Sequence, residues 1–286
     1  MGKKRRAKVD LDDTSELLEI VSILRDVASN HFYNSAKRKA RFLELAEAFV
    51  DFFRMVSLSD ASHPLVKTTV ERVAIVLITS ELGFMGEMTS RVIKAGVLEG
   101  EKYQDTQFIV VGYKGVVKLK QSNIPDKNIK VFRDIEEHGI YRITLQVKEY
   151  ITQEVTEGRI GKVFAIYPFA FNFNLIKPKV IKLLPSEELL TYQSDFKDVI
   201  EKVIVESDLN EMIGYLANLW LTCRIYEMLE DCVVAGFAAQ AQQLEAAMER
   251  LKKEKKGLVL AFKKAQKSDI DKALREVFTS TLMSRR

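Results

Sequence analysis

Proline is scarce, with five in 286 residues: Pro64, Pro125, Pro168, Pro178 and Pro185. None precedes residue 64 or follows residue 185, so nothing in either flank forces a helix to break. Cysteine is scarcer still. Cys223 and Cys232 lie in one stretch that reads as helix, where their spacing points them in different directions, so no bridge between them is expected and a reducing setting is. No window reaches the eighteen or more apolar residues of a membrane span, and a direct span is not expected. Charge of one sign is also missing: 44 Lys and Arg stand against 40 Asp and Glu. Nothing in that balance calls for a nucleic-acid partner. The motifs G-x-x-x-x-G-K-[ST], G-x-G-x-x-G and H-E-x-x-H are absent, and His31, His63 and His138 have no ligand spacing. The expectation is no catalytic residue, no cofactor and no metal site.

What is present is helix at both ends and a change of period between them. From about Glu211 to Thr281 the chain reads as one unbroken helix, roughly 100 Å long at 1.5 Å per residue. Phe237, Ala241, Leu244, Met248, Leu251, Leu258, Phe262 and Ala265 recur at spacings of three and four, interrupted by Lys255. That is a heptad seam in need of a partner. The first flank carries a similar pattern over Leu17, Val21, Leu24, Ala28, Ser35, Phe42, Leu45, Phe49 and Phe52. Thr14 or Ser15 is the expected N-cap, with Glu16 and Glu19 in the opening turn.

Between the flanks, Val70 to Ser80 and Thr106 to Gly112 are continuous apolar runs rich in β-branched residues, the pattern of strands buried on both faces. Helical patterns follow each, the second from Lys114 to Gln121, and another spans Ile143 to Glu157. Lys162 to Asn174 and Lys177 to Leu184 read as strands. Strand and helix in alternation predict a small α/β sheet with crossover helices. The expected division is 1–63 as an N-terminal helix, 64–185 as a globular insert and 186–286 as a long C-terminal helix. The flanks are too long for the insert to cover, so each must bury the other's seam. An antiparallel two-helix coiled coil with an α/β insert is the fold that results.

Gly83 and Gly86, and then Gly112 and Gly115, stand where a strand passes into a helix. They read as structural turns, although backbone N–H groups at such a place could also face an anion. Lys252, Lys253, Lys255 and Lys256 form a basic block on the long helix, either a solvated face or a contact with an acidic surface.

Four stretches carry a resemblance. Leu260-Ala261-Phe262-Lys263-Lys264-Ala265-Gln266-Lys267, with Ile270 and Leu274, follows the spacing L-x-Y-N-K-A-R-Q-x-x-I-T-x-E-L. Thr79 to Gly86 is similar to an S-D-R-G-L-C-G-G turn, and Val110 to Gly115 to an I-G-x-K-G stretch. Ile20 to Ser29 with Ala36, Lys37 and Arg38 is similar to I-T-x-A-M-x-x-V-A-A-x-K. In this order and from end to end, the chain resembles the gamma subunit family of F-type ATP synthases, the central rotor shaft, as a divergent member. Leu24 stands for the family's Met, Gln266-Lys267 for its Arg-Gln pair, and Asp271 for its Thr.

The resemblance implies a non-catalytic rotor whose two terminal helices form an antiparallel coiled coil around a Rossmann-like insert. It implies α- and β-type ATPase subunits as a surrounding hexameric ring, an epsilon-type subunit and a membrane-embedded, ion-driven ring as partners. Attachment would be peripheral, through those partners, on the cytoplasmic side. The polar contacts of the family's terminal helix do not carry over. Leu24, Phe262, Ala265, Ile270, Leu274, Val277 and Phe278 carry over as an apolar bearing; on a rod running through a ring with acidic surfaces, the block of Lys252, Lys253, Lys255 and Lys256 would be a contact. The rival reading is a coiled-coil scaffold with an α/β head that self-associates and has no ATPase partner. A third is an α/β enzyme with a pocket at the strand ends near Gly83 and Gly112.

Overall fold

The computed structural model describes residues 3–54, 63–81, 83–121, 124–125, 128–133, 139–185 and 208–283, with the side chains of 40–54, 209, 281 and 282 set aside. Helix α1 runs Lys3–Arg54. Strand β1, Val73–Ile78, leads through a 3-10 turn at Gly83–Met85 into α2, Gly86–Gly100. Then come β2, Thr106–Val111, α3, Tyr113–Lys120, β3, Ile129–Phe132, and α4, Ile140–Thr156. The hairpin of β4, Lys162–Asn172, and β5, Leu175–Leu184, precedes the last helix, α5, Leu209–Met283. His138, Ser186 and the return toward helix after it lie outside the described residues.

The chain divides into two compact units, Met1–Ser29 with Gln240–Arg286, and Asn30–Ala239. The second contains a five-stranded sheet in the order β3-β2-β1-β4-β5, parallel except for the antiparallel edge strand β5. All six residues of β1 are buried, which is why the run carries apolar residues without alternation. Ala74, Val76 and Ile78 face a cluster with Ile143, Val147 and Ile151 of α4 and Leu216, Trp220, Leu221 and Leu229 of α5. Val73, Ile75 and Leu77 face the other way, onto Val92 and Ile93 of α2 and Val116 and Leu119 of α3. The start of α5 is therefore one of the layers covering the sheet.

Farther along the same unit, α5 pairs with α1 in opposite directions. His31 stacks on Phe237 with centroids 4.8 Å apart, Arg38 reaches Glu230 at 3.0 Å, and Lys39 pairs with Asp231. Only Lys162–Ile166 of β4 pairs with β1, so the rest of the hairpin extends past the sheet, where Phe173 meets the edge of Phe32 and Ala170 and Ile176 pack with Val234 and Ala238.

In the first unit the two helices share a heptad seam. From α1 come Leu11, Thr14, Leu18, Val21, Arg25 and Ala28, each at least half-buried. From α5 come Ala241, Leu244, Met248, Leu251, Lys255, Leu258, Phe262 and Ala265. Two expectations for α1 are corrected here. The helix begins at Lys3, so Thr14 and Ser15 do not cap it; their hydroxyls donate to the carbonyls of Asp10 and Leu11, both at 2.7 Å, one turn back. Leu17 and Leu24 lie outside the seam because Leu18 and Arg25 take the inward positions, one residue later in the same period.

Candidate functional site

The exposed end of α5 follows from where its seam stops. Leu251, Lys255, Leu258, Phe262 and Ala265 are half-buried at spacings of four and three, and every side chain from Gln266 to Ser280 is exposed. Among these Ile270, Leu274, Val277 and Phe278 recur at i, i+4, i+7 and i+8, which places them on one face of the helix. Phe278 is 71% exposed, a large cost in water for an aromatic ring that no described residue covers. Polar residues fill the other faces, with Lys272 and Glu276 3.9 Å apart and an open groove lined by Lys264, Lys267, Asp271 and Arg275.

Leu24 is not brought to this face. It lies on the outer side of α1 next to Arg25, which meets Glu245, so on α5 it stands level with a residue 25 positions before Ile270, roughly 37 Å away along the helix. It has company there: Leu17, Ile20, Ile23 and Val27 are exposed on the same side of α1. This second stripe was missed in the sequence reading, although its spacing of three and four from Leu17 through Ile20 and Leu24 to Val27 is visible. Lys252, Lys253 and Lys256 are exposed, and Lys252 donates to Glu249 at 2.8 Å, holding that carboxyl below its usual range. Lys255 sits in the seam itself.

The glycines lie at the carboxyl ends of the strands. Gly112 has φ 102°, and a Cβ there would meet the Thr79 carbonyl. Gly115 lies against the Thr79 hydroxyl, which donates to the Val111 carbonyl at 3.0 Å and accepts from the Gly115 N–H at 3.1 Å. Glu81 accepts from the Tyr113 N–H at 3.1 Å, so the first turn of α3 has its own carboxylate cap. Gly83 and Gly86 open the 3-10 turn and α2, and the space around each is open. Where a doubly wound sheet would take a ligand, buried Met85 lies against α5, its sulfur 3.5 Å from where a Cβ on Gly236 would be. Among the described residues no His, Cys, Asp and Glu group is arranged to hold a metal, and no helix is long and apolar enough to cross a membrane.

The apolar face of Ile270, Leu274, Val277 and Phe278 is left exposed among the described residues. The family model described as ATP synthase matches residues 5–281. The chain belongs to the ATP synthase gamma-chain family. The ATP synthase gamma chain of Psychrobacter cryohalolentis is 22% identical over 289 residues, covering 96% of each chain. A chain of the Euglena gracilis mitochondrial ATP synthase, in a cryo-EM structure of OSCP, F1 and c-ring, matches with a TM-score of 0.62 at 13% identity, over 98% of this chain and 93% of that one. A chain from the central stalk and c-ring of the Tetrahymena thermophila mitochondrial ATP synthase gives 0.59 at 16% identity, over 80% and 99%. For a gamma-family chain, N- and C-terminal helices with a mixed α/β sheet inserted between them in sequence are the parts of a central rotor subunit.

Proposed function

We propose that this gamma-family chain turns as the central rotor of a rotary ATPase, with the bare end of α5 as its bearing. The observation that carries the reading is the change at Ala265, where a half-buried heptad seam gives way to an exposed apolar face of Ile270, Leu274, Val277 and Phe278. An apolar face can slide against an apolar sleeve without breaking specific bonds. α- and β-type subunits would form the sleeve, and as the asymmetric helix pair turns it would offer each of them different contacts, biasing each toward a different conformation. Rotation would then couple ion flow to ATP turnover.

Leu24, Phe262 and Ala265 would act as further bearing positions, and the lysines from Lys252 to Lys256 as contacts to acidic ring surfaces. An epsilon-type subunit and the membrane ion-driven ring would engage the α/β insert of residues 64–185, between helical segments 1–63 and 186–286. The complex would be held at the membrane through that ring, with this chain on the cytoplasmic side. Affinity purification of a tagged chain from its native cell tests this directly. Recovery of stoichiometric α- and β-type ATPase subunits is expected; recovery of a self-associated chain without them would favour a scaffold and reject the rotor.

A further inference from the structure

Within the second unit, α1, α5 and the β4–β5 hairpin meet around a group of charges. Glu227, Glu230 and Asp231 occupy one turn of α5 and face Arg38 and Lys39 of α1. The two most buried carboxylates are treated differently. Glu230, with a side chain 2% exposed, receives Arg38 at 3.0 Å on one oxygen and the Tyr226 hydroxyl at 2.8 Å on the other. Asp231, 5% exposed, pairs through Oδ1 with Lys39, while its Oδ2 is buried with no hydrogen-bond partner among the described residues.

Every element packed there contributes to what Asp231 faces. Lys39 comes from α1, and its Nζ also lies 3.9 Å from Glu227 and 5.1 Å from the centroid of Phe169. On α5, Glu227 is held by Arg224 at 2.9 Å. From β4 comes the buried Tyr167, whose hydroxyl burial and the charges of Asp231 and Glu227 push upward. From β5 comes Lys179, with Nζ 4.5 Å from the same Phe169 ring that Lys39 overlies. An ionised oxygen with no donor in such a place holds a proton more tightly than it would in water. Burial pushes the Asp231 carboxyl up to about 6, with Lys39 opposing and Glu227 adding to the rise.

We propose that Asp231 is a proton-operated joint: packing of α1, α5 and the hairpin at this level takes up a proton at Asp231, so the joint tightens in mild acid and loosens as the pH rises. The direction follows from linkage. A carboxyl whose folded value lies above its unfolded one adds stability that is complete below the unfolded value, 3.8, and is lost as pH rises through about 6. Above that window the ionised form depends on Lys39 to remain buried. This inference concerns regulation of the unit and stands whether or not the chain serves a rotor.

Thermal unfolding of the full chain at pH 5 and pH 8 tests it, comparing the wild type with Asp231→Asn and Lys39→Met. Asp231→Asn should reduce the difference in midpoint between the two pH values by several degrees. Lys39→Met should lower the midpoint clearly more at pH 8 than at pH 5. Equal pH dependence of Asp231→Asn and wild type, or an equal cost of Lys39→Met at both pH values, would overturn the proposal. Should Asp231→Asn fail to fold, the carboxyl carbon resonance of Asp231 in the wild-type chain decides: a titration midpoint near 6 supports the joint, and one below 4 sinks it.

Discussion

Arg25 and Glu245, 220 residues apart in sequence, meet with Nη1 2.8 Å from Oε2 at an inward position of the heptad seam. Arg25 also donates to Asp26, so its guanidinium joins the two helices as a half-exposed polar member of an otherwise largely apolar row. Such a pair adds little, because water and side-chain entropy offset most of the attraction. A double-mutant cycle of Arg25→Ala and Glu245→Ala in thermal or urea unfolding should return a small, favourable coupling. It should weaken at about 1 M salt, where the screening length falls to about 3 Å, close to the separation of the pair.

The apolar members of the seam should matter more. Met248 is buried where Leu260, on the same helix, is mostly exposed. Met248→Ala leaves a cavity between the helices and should cost about 2–4 kcal/mol in urea unfolding. Leu260→Ala should change stability by less than about 0.5 kcal/mol. Equal effects would mean that α5 is not packed along this face.

The long helices and the parallel strands were legible because each follows one rule over many residues. The row from Ala241 to Ala265 keeps its period through eight positions, and the β1 run has no alternation to misread. What failed to show was set by choice among equivalents. Leu17 and Leu18, or Leu24 and Arg25, both satisfy a spacing of three and four, and a seam that accepts Arg25 beside Glu245 is not predicted by hydrophobicity. Strand β3, only Ile129–Phe132, is too short to announce itself. The charged group around Asp231 was invisible because its members lie about 190 residues apart, Lys39 and Asp231 being 192 positions from one another.

Gly112 is the turn glycine whose replacement should be felt. With φ 102° and Thr79 against the site of a Cβ, Gly112→Ala combines backbone strain with a clash against main chain that cannot yield. A loss of about 1–3 kcal/mol is expected in thermal unfolding. Gly83→Ala, in open space without a positive φ, should stay within about 0.5 kcal/mol of wild type.

The exposed apolar residues proposed as a bearing should separate stability from coupling. Leu274→Ser and Phe278→Ser remove apolar area that the chain itself does not bury, so the unfolding midpoint of the isolated chain should not move. Reassembled with α- and β-type subunits, the same variant should weaken association or the coupling of ATP hydrolysis to rotation of a probe fixed to the α/β insert. Unchanged coupling in the assembled complex would remove this face from the bearing.

Lys255 puts the two demands on one residue. It occupies a half-buried seam position between Leu251 and Leu258, where an aliphatic stem can pack while the ammonium reaches water. Lys255→Leu should complete the apolar row and stabilise the chain by about 1 kcal/mol, raising its unfolding midpoint. If the ammonium also meets an acidic surface of the ring, ATPase coupling in the assembled complex should fall although the chain has become more stable, and the loss should shrink at high salt, where the wild-type contact is screened as well. Lys255→Arg should retain the coupling without the gain in stability. A leucine variant that is both more stable and fully coupled would show that the lysine only tolerates the seam.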